Sequence, residues 1–385
     1  MLPIHPQPRP DEVMSSWMVR LAFANGYPLH TFYACLLGYR GAIWNRDIDR
    51  HPTPALLEIL AHQTRQTKIA LNAMTLAAYE GIVFENLPYI GNAAWILPVG
   101  VFHRTRRLAG LQFCPQCLEE DSTPYYRKPW RLALYAMCER HLCVMQANCP
   151  QCKANIAFHR HGIGRGKKIP EQALRLCHEC EFDLSQAPSF IPSWPDIRSL
   201  NNYKKVLGRF ECGCLPFEFS TTTFGVPYFH GVRVLVSVIH GRSGLRLRQV
   251  LSKAIGIDLS QNPSSAGLDF EYLTPSERLN LLLAVIWLLE GWPTRFVAMC
   301  TEASFTRSRL AEEVSSLPFW LAQAADEYLD SRLILPCRQE VISACSYLIS
   351  TGHVVSPQAL GSLLGISKNG AKAAYKQWQA STCYK

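Results

Sequence analysis

The sequence predicts a mostly α-helical protein with small zinc-ribbon β modules in its middle. Three observations carry this expectation. Apolar residues recur at helical spacing through the first hundred residues and again from about residue 231. Cysteine-bearing knuckles cluster between residues 111 and 183. A capped helix, a glycine turn and a second helix close the chain from Ser356 to Lys372. The expected organisation is a helical, helix-turn-helix-containing domain over 1–105 and two tandem zinc-ribbon modules over 106–190. A connecting helical region over 191–270 and a C-terminal helical domain over 271–385, ending in a helix-turn-helix, complete it.

In the N-terminal part, Asp11 is placed to cap a helix carrying Met14, Trp17, Met18, Leu21 and Ala22, which Asn25-Gly26 ends. A second apolar helix is expected from Thr31 to Leu37, and a third from Pro54 to Gln63. Thr67 would cap a fourth carrying Leu71 and Met74. Short helices joined by tight turns suit helix-turn-helix units.

The middle is different. Cys114-Pro-Gln-Cys117 is followed by Cys138-Glu-Arg-His141, and Cys149-Pro-Gln-Cys152 by Cys177-His-Glu-Cys180. Each turn puts two donors on one side of a knuckle, and two knuckles complete a tetrahedron. The expectation is two structural Zn²⁺ ions, one on three thiolates and an imidazole, the other on four thiolates. Both sets are complete, so neither leaves the open position a catalytic zinc needs. His178, inside the last knuckle, is expected to be exposed. Cys143, Cys212 and Cys214 lie nearby, and Cys212-Gly-Cys214 lacks a second pair. Cys35, Cys300, Cys337, Cys345 and Cys383 are expected to be buried small residues or part of a frayed tail.

Gly162-Ile-Gly-Arg-Gly-Lys-Lys168 resembles a phosphate loop but fails the Walker spacing, and Lys168 replaces the hydroxyl that would hold magnesium. It reads instead as a basic insertion in which Arg160, Arg165, Lys167 and Lys168 can lie along phosphates. No nucleophile elbow, triad or paired carboxylates stand out, so the chain is not expected to be an enzyme.

Toward the C-terminus, Thr274-Pro-Ser-Glu277 is a capping box with Pro at the first helical position. The helix it starts is apolar nearly all round, which marks a core helix. Ser356 caps the closing helix pair, Gly361 permits a close crossing, and Leu364-Gly-Ile-Ser367 makes the turn. The second helix of the pair would present Lys368, Asn369, Lys372 and Lys376; Asn can pair with adenine, and Lys with guanine or phosphate.

Composition agrees with binding chemistry. The chain of 385 residues is 48% hydrophobic and carries a formal charge of +9. Residues 101–210 have 17 basic and 9 acidic residues, and the last 45 have 4 and none. Seven ligand thiolates and two Zn²⁺ would take the middle from +8 to +5, leaving two basic zones of similar strength. The longest apolar run, Leu281 to Leu289, is nine residues, too short to span a membrane. The N-terminus has prolines rather than an apolar signal core. Free thiols and metal ligands then fit a cytoplasmic protein better than disulfides would.

Several of these motifs together resemble the TniQ/TnsD family of transposition proteins. They are Pro8-Arg-Pro-Asp-Glu12, Ser15-Ser-Trp17-Met-Val-Arg20, Phe113-Cys-Pro-Gln-Cys-Leu-Glu-Glu-Asp121, Tyr125-Tyr-Arg127, Trp130-Arg131-Leu132, Cys138-x-x-His141 and Cys149-Pro-Gln-Cys152. The resemblance covers roughly residues 6–183. It implies a bacterial, nucleoid-associated target-selection adaptor for transposition. Such proteins bind target DNA, or an RNA-guided CRISPR effector complex, sometimes as a homodimer. They recruit an AAA+ ATPase transposition regulator. The alternative is a zinc-ribbon/helix-turn-helix, sequence-specific DNA-binding transcriptional regulator.

Overall fold

The computed structural model describes residues 1–41, 43, 46–102, 105–161, 172–208, 225–260, 266–313, 316–329 and 336–382. Among these, fifteen α-helices and one two-stranded antiparallel sheet form the regular structure, so the protein is mostly helical. The chain begins with α1 (Met14–Ala24), α2 (Leu29–Thr31), α3 (Pro54–Thr64) and α4 (Lys68–Ala73). The hairpin β1 (Val99–Phe102) and β2 (Thr105–Ala109) follows. The apolar positions of α1 expected to face inward, Met14, Trp17, Met18, Leu21 and Ala22, are all buried. Thr53 and Thr67 cap α3 and α4, accepting from the Leu56 and Ala70 N–H groups. The expected Thr31–Leu37 helix is realised as the single turn α2 running into a wider turn over Phe32–Leu36.

Asp11 does not cap α1. Val13 holds the N-cap position, and Asp11 takes a left-handed φ of 56°. This segment is used for docking instead. The Asp11 carbonyl accepts from the Lys128 N–H at 2.6 Å, and the Val13 N–H donates to the Tyr126 carbonyl at 2.9 Å. The free first turn of α1 is satisfied from 34 residues away. Ser15 donates its N–H (2.7 Å) and its hydroxyl (2.8 Å) to the two oxygens of Asp49. Arg131 then binds Asp49 at 3.0 Å and Asp47 at 2.6 Å. Both Arg131 and Asp49 are at most 2% exposed. A parallel set surrounds buried Glu12, which accepts from Arg20 Nε at 2.8 Å and from the Ser16 hydroxyl at 2.9 Å. Ser16 in turn accepts from the Tyr126 N–H at 3.0 Å. The helical segment and the cysteine-bearing segment are thereby one packed unit.

The knuckle region carries α5 (Pro115–Glu120), and α6 (Ile197–Leu207) follows, capped by Asp196. Buried Tyr203 on α6 donates to the Leu134 carbonyl at 2.8 Å. The bundle α7 (Gly225–His240), α8 (Leu245–Ile255), α9 (Pro275–Glu290), α10 (Thr294–Glu302), α11 (Arg307–Glu313) and α12 (Phe319–Ala324) comes next. α9 has the expected capping box, with Thr274 and Glu277 bonding reciprocally, and buries nine side chains. One of them is Arg278, which reaches the Ala133 carbonyl at 2.6 Å and Gln112 Oε1 at 2.9 Å. Burial lowers its pKa to about 10. A single hydrophobic core thus runs from Leu2 to Leu329. Among the described residues no single helix is long and apolar enough to cross a membrane.

A second core lies beyond it. Val341, Ala344, Cys345 and Leu348 of α13 (Arg338–Ser350) pack with Leu360 of α14 (Pro357–Leu364) and Ala374 of α15 (Lys368–Thr382). Ser356 caps α14, and Gly365 ends it in the left-handed conformation, φ 62°. A Cβ on Gly361 would stand 3.3 Å from the Ala371 Cβ, so the small residue sets the approach of α14 and α15.

The buried ion cluster gives a stability test. Arg131→Met would leave two carboxylates without their cation. It should cost about 3–5 kcal/mol, read as a lower urea midpoint, while Arg140→Met, at an exposed pair, should change it by less than about 1 kcal/mol. Equal effects would remove the central role given to Arg131.

Candidate metal centres

Three of the four knuckles are built by one backbone device. The N–H of Cys138, Cys149 and Cys177 donates to the carbonyl five residues on (Cys143, Ala154, Phe182), at 2.9 Å each. The carbonyls of Cys138, Cys149 and Cys177 in turn accept from the N–H of the residue four on: Leu142 at 2.8 Å, Lys153 at 3.0 Å and Glu181 at 2.9 Å. Those three residues, each following the second ligand of its knuckle, are left-handed, with φ of 55°, 62° and 62°. Bridges Met137–Val144, Asn148–Asn155 and Leu176–Asp183 close each turn as a short hairpin. The remaining knuckle differs: Cys114 is the N-cap of α5, and Cys117 lies on that helix.

The turns bring the eight expected donors together as two groups, Cys114, Cys117, Cys138 and His141, and Cys149, Cys152, Cys177 and Cys180. Within each group all ligand atoms lie within 4.8 Å of one another. Two sulfurs on one tetrahedral ion with 2.3 Å bonds stand about 3.8 Å apart. The observed Cys117–Cys138, Cys149–Cys180 and Cys152–Cys177 separations are 3.6, 3.7 and 3.6 Å. His141 turns Nδ1 to the sulfurs of Cys114 and Cys117, 3.3 Å from each. Its Nε2 meets Glu120 Oε1 at 2.9 Å, which fixes the ring with Nδ1 free to ligate. Hydrogen bonds from Cys114 and Cys117 hold Cys138 far below the ordinary thiol range, to about 2. Burial raises Cys177 well above it. The donor sets, their spacing and the carboxylate behind the imidazole fit two structural ions.

The two centres differ in shelter. Cys114, Cys117 and Cys138 are buried, whereas Cys152 is exposed and Cys180 half-buried. His178 was expected at the surface, but its side chain is only 7% exposed. The knuckle folds it inward, 6.5 Å from the His161 ring. Cys35 and Cys337 are exposed rather than buried, Cys337 because it is the N-cap of α13.

Of the basic residues expected to meet nucleic acid, Arg160 is half-buried on a short 3₁₀ turn, and Arg165, Lys167 and Lys168 lie outside the described residues. Lys368, Asn369, Lys372 and Lys376 are all exposed on α15. Lys368 also pairs with Glu327 at 3.4 Å. Sequence reasoning missed Glu120, Asp47, Asp49 and Arg278, whose roles depend on partners distant in the chain. Glu120 alone had a local signal: it lies three residues past Cys117 on α5, on the side of the helix that carries the ligand.

Metal analysis should return two ions per chain. A chelator should strip the Cys149, Cys152, Cys177 and Cys180 centre first, and both ions should be lost as pH falls, because protons compete for the ligands. Cys117→Ser should lose one ion together with folded protein. Simultaneous release of both ions by chelator would contradict the difference in shelter.

The TniQ family model matches residues 3–145. No curated protein matches the chain. The matched span takes in α1, the Asp49–Arg131 cluster and the whole first donor group. Over residues 3–145 this chain is similar to the TniQ family.

Proposed function

We propose that the chain is a target-selection adaptor in transposition, a non-catalytic scaffold held by two structural Zn²⁺ ions. The observation that carries this reading is the TniQ match over residues 3–145, on the segment where the family motifs interlock. In this reading the TniQ part and the zinc modules recruit an AAA+ ATPase transposition regulator. The basic surfaces engage target DNA directly or an RNA-guided effector complex on the bacterial nucleoid. Tandem zinc ribbons over 106–190 and helix-turn-helix units at the two ends supply the binding platforms.

Direct DNA contact draws support from α15, where Lys372 and Lys376 are exposed, and from the absence of any acidic residue between 341 and 385. The same face is the observation that would favour a transcriptional regulator acting alone. Its physics is clear: lysines four apart share one side of a helix, and Asn369 sits beside them.

Two experiments test the proposal. A pull-down with an AAA+ transposition regulator, with and without DNA or a guide-RNA complex, should recover it; failure under every condition counts against the adaptor. On DNA, Lys372→Ala should either relax sequence preference, if the lysine reads bases, or weaken all sequences alike and reduce the salt slope by about one, if it meets phosphate. A variant that binds as the parent does would remove α15 from the DNA interface.

A further inference from the structure

One further sulfur stands beside the first candidate centre, outside its group of four donors. Cys143 is fully buried, and its Sγ stands 3.5 Å from that of Cys114. That distance is close to the spacing of about 3.8 Å between two sulfurs on one tetrahedral ion. Cys143 follows His141 by two residues, across the left-handed Leu142, and its carbonyl closes the same knuckle by accepting from the Cys138 N–H at 2.9 Å. Neither of the other two hairpin knuckles has a donor at this place: Ala154 and Phe182 occupy it.

The four ligands are also unequal. Cys114, Cys117 and Cys138 are at most 1% exposed, while the His141 side chain is 12% exposed. The imidazole is tied on its far side to Glu120, which is half-exposed and shared with Arg140 at 2.6 Å. The one nitrogen ligand is therefore the one open to exchange, and the spare thiol lies on the sheltered side of the cluster.

We propose that Cys143 is the reserve ligand of this centre and replaces His141 on the ion. In the exchange the bond from Nδ1 of His141 to zinc breaks and a zinc–sulfur bond to Cys143 forms. The thiol proton passes to bulk water, and the freed imidazole keeps its hydrogen bond to Glu120. The ion and its ligands become one unit more negative, with no electron transferred. The centre stays closed in both forms, so no solvent position opens.

The test uses full-length chains carrying zinc, with metal content and zinc-edge X-ray absorption as readouts. The unaltered protein must first show two ions and an average of about 3.5 sulfurs per ion, seven sulfurs over two centres; a different value there fails the ligand assignment itself. His141→Ala should then keep both ions and rise to about four sulfurs per ion. His141→Ala/Cys143→Ser should lose one ion. Cys143→Ser alone should keep two ions at the parental average. The proposal is overturned if His141→Ala loses an ion, if it keeps both with the parental sulfur average, or if it folds no better than the double variant.

Discussion

The buried contact between Arg131 and the Asp47–Asp49 pair is the constraint on which the rest of the molecule depends. Desolvating a guanidinium and two carboxylates is costly, and Nη1 and Nη2 of Arg131 offset it by pairing with both carboxylates, while its buried Nε has no partner among the described residues. Asp49 also supplies the cap that α1 lacks locally, through Ser15. One carboxylate therefore fixes the start of the first helix and anchors the loop between the two halves of the first donor group. Arg278 does the same from the other side, tying α9 to Ala133 and Gln112. The donor-bearing segment is held by these two arginine anchors.

Features with local causes were legible in the sequence. The knuckle spacing named all eight donors, because a two-residue gap dictates how two side chains converge. The Thr274–Glu277 box, the threonine caps of α3 and α4, and the Ser356 cap followed from side-chain reach of three residues. What could not be read were pairings set by tertiary contact. Asp11 has every local attribute of a cap, but its backbone is taken by Lys128. His178 looks like a surface residue in a polar turn, yet the knuckle folds its ring inward. Glu120 becomes a partner of His141 only once α5 and the second knuckle meet.

The two cores divide the molecule by physical role. The large core binds the TniQ segment, the metal knuckles and the α7–α12 bundle into one body. The small core holds α13, α14 and α15 by a few apolar side chains of their own. A charged pair, Lys368 with Glu327, links them at the first residue of α15. The exposed lysines of α15 thus stand on a support separate from the one that orders the metal centres.

Leu142, Lys153 and Glu181 adopt left-handed turns that cost roughly 1–2 kcal/mol apiece in residues other than glycine. None of the three positions has the residue that would make the turn easy by itself. Local sequence therefore disfavours these turns, and the backbone hydrogen bonds and bridges that close each hairpin offset the cost. Arg131 lies between the knuckles of the first donor group, so the loop that these turns delimit also carries the clamp on α1.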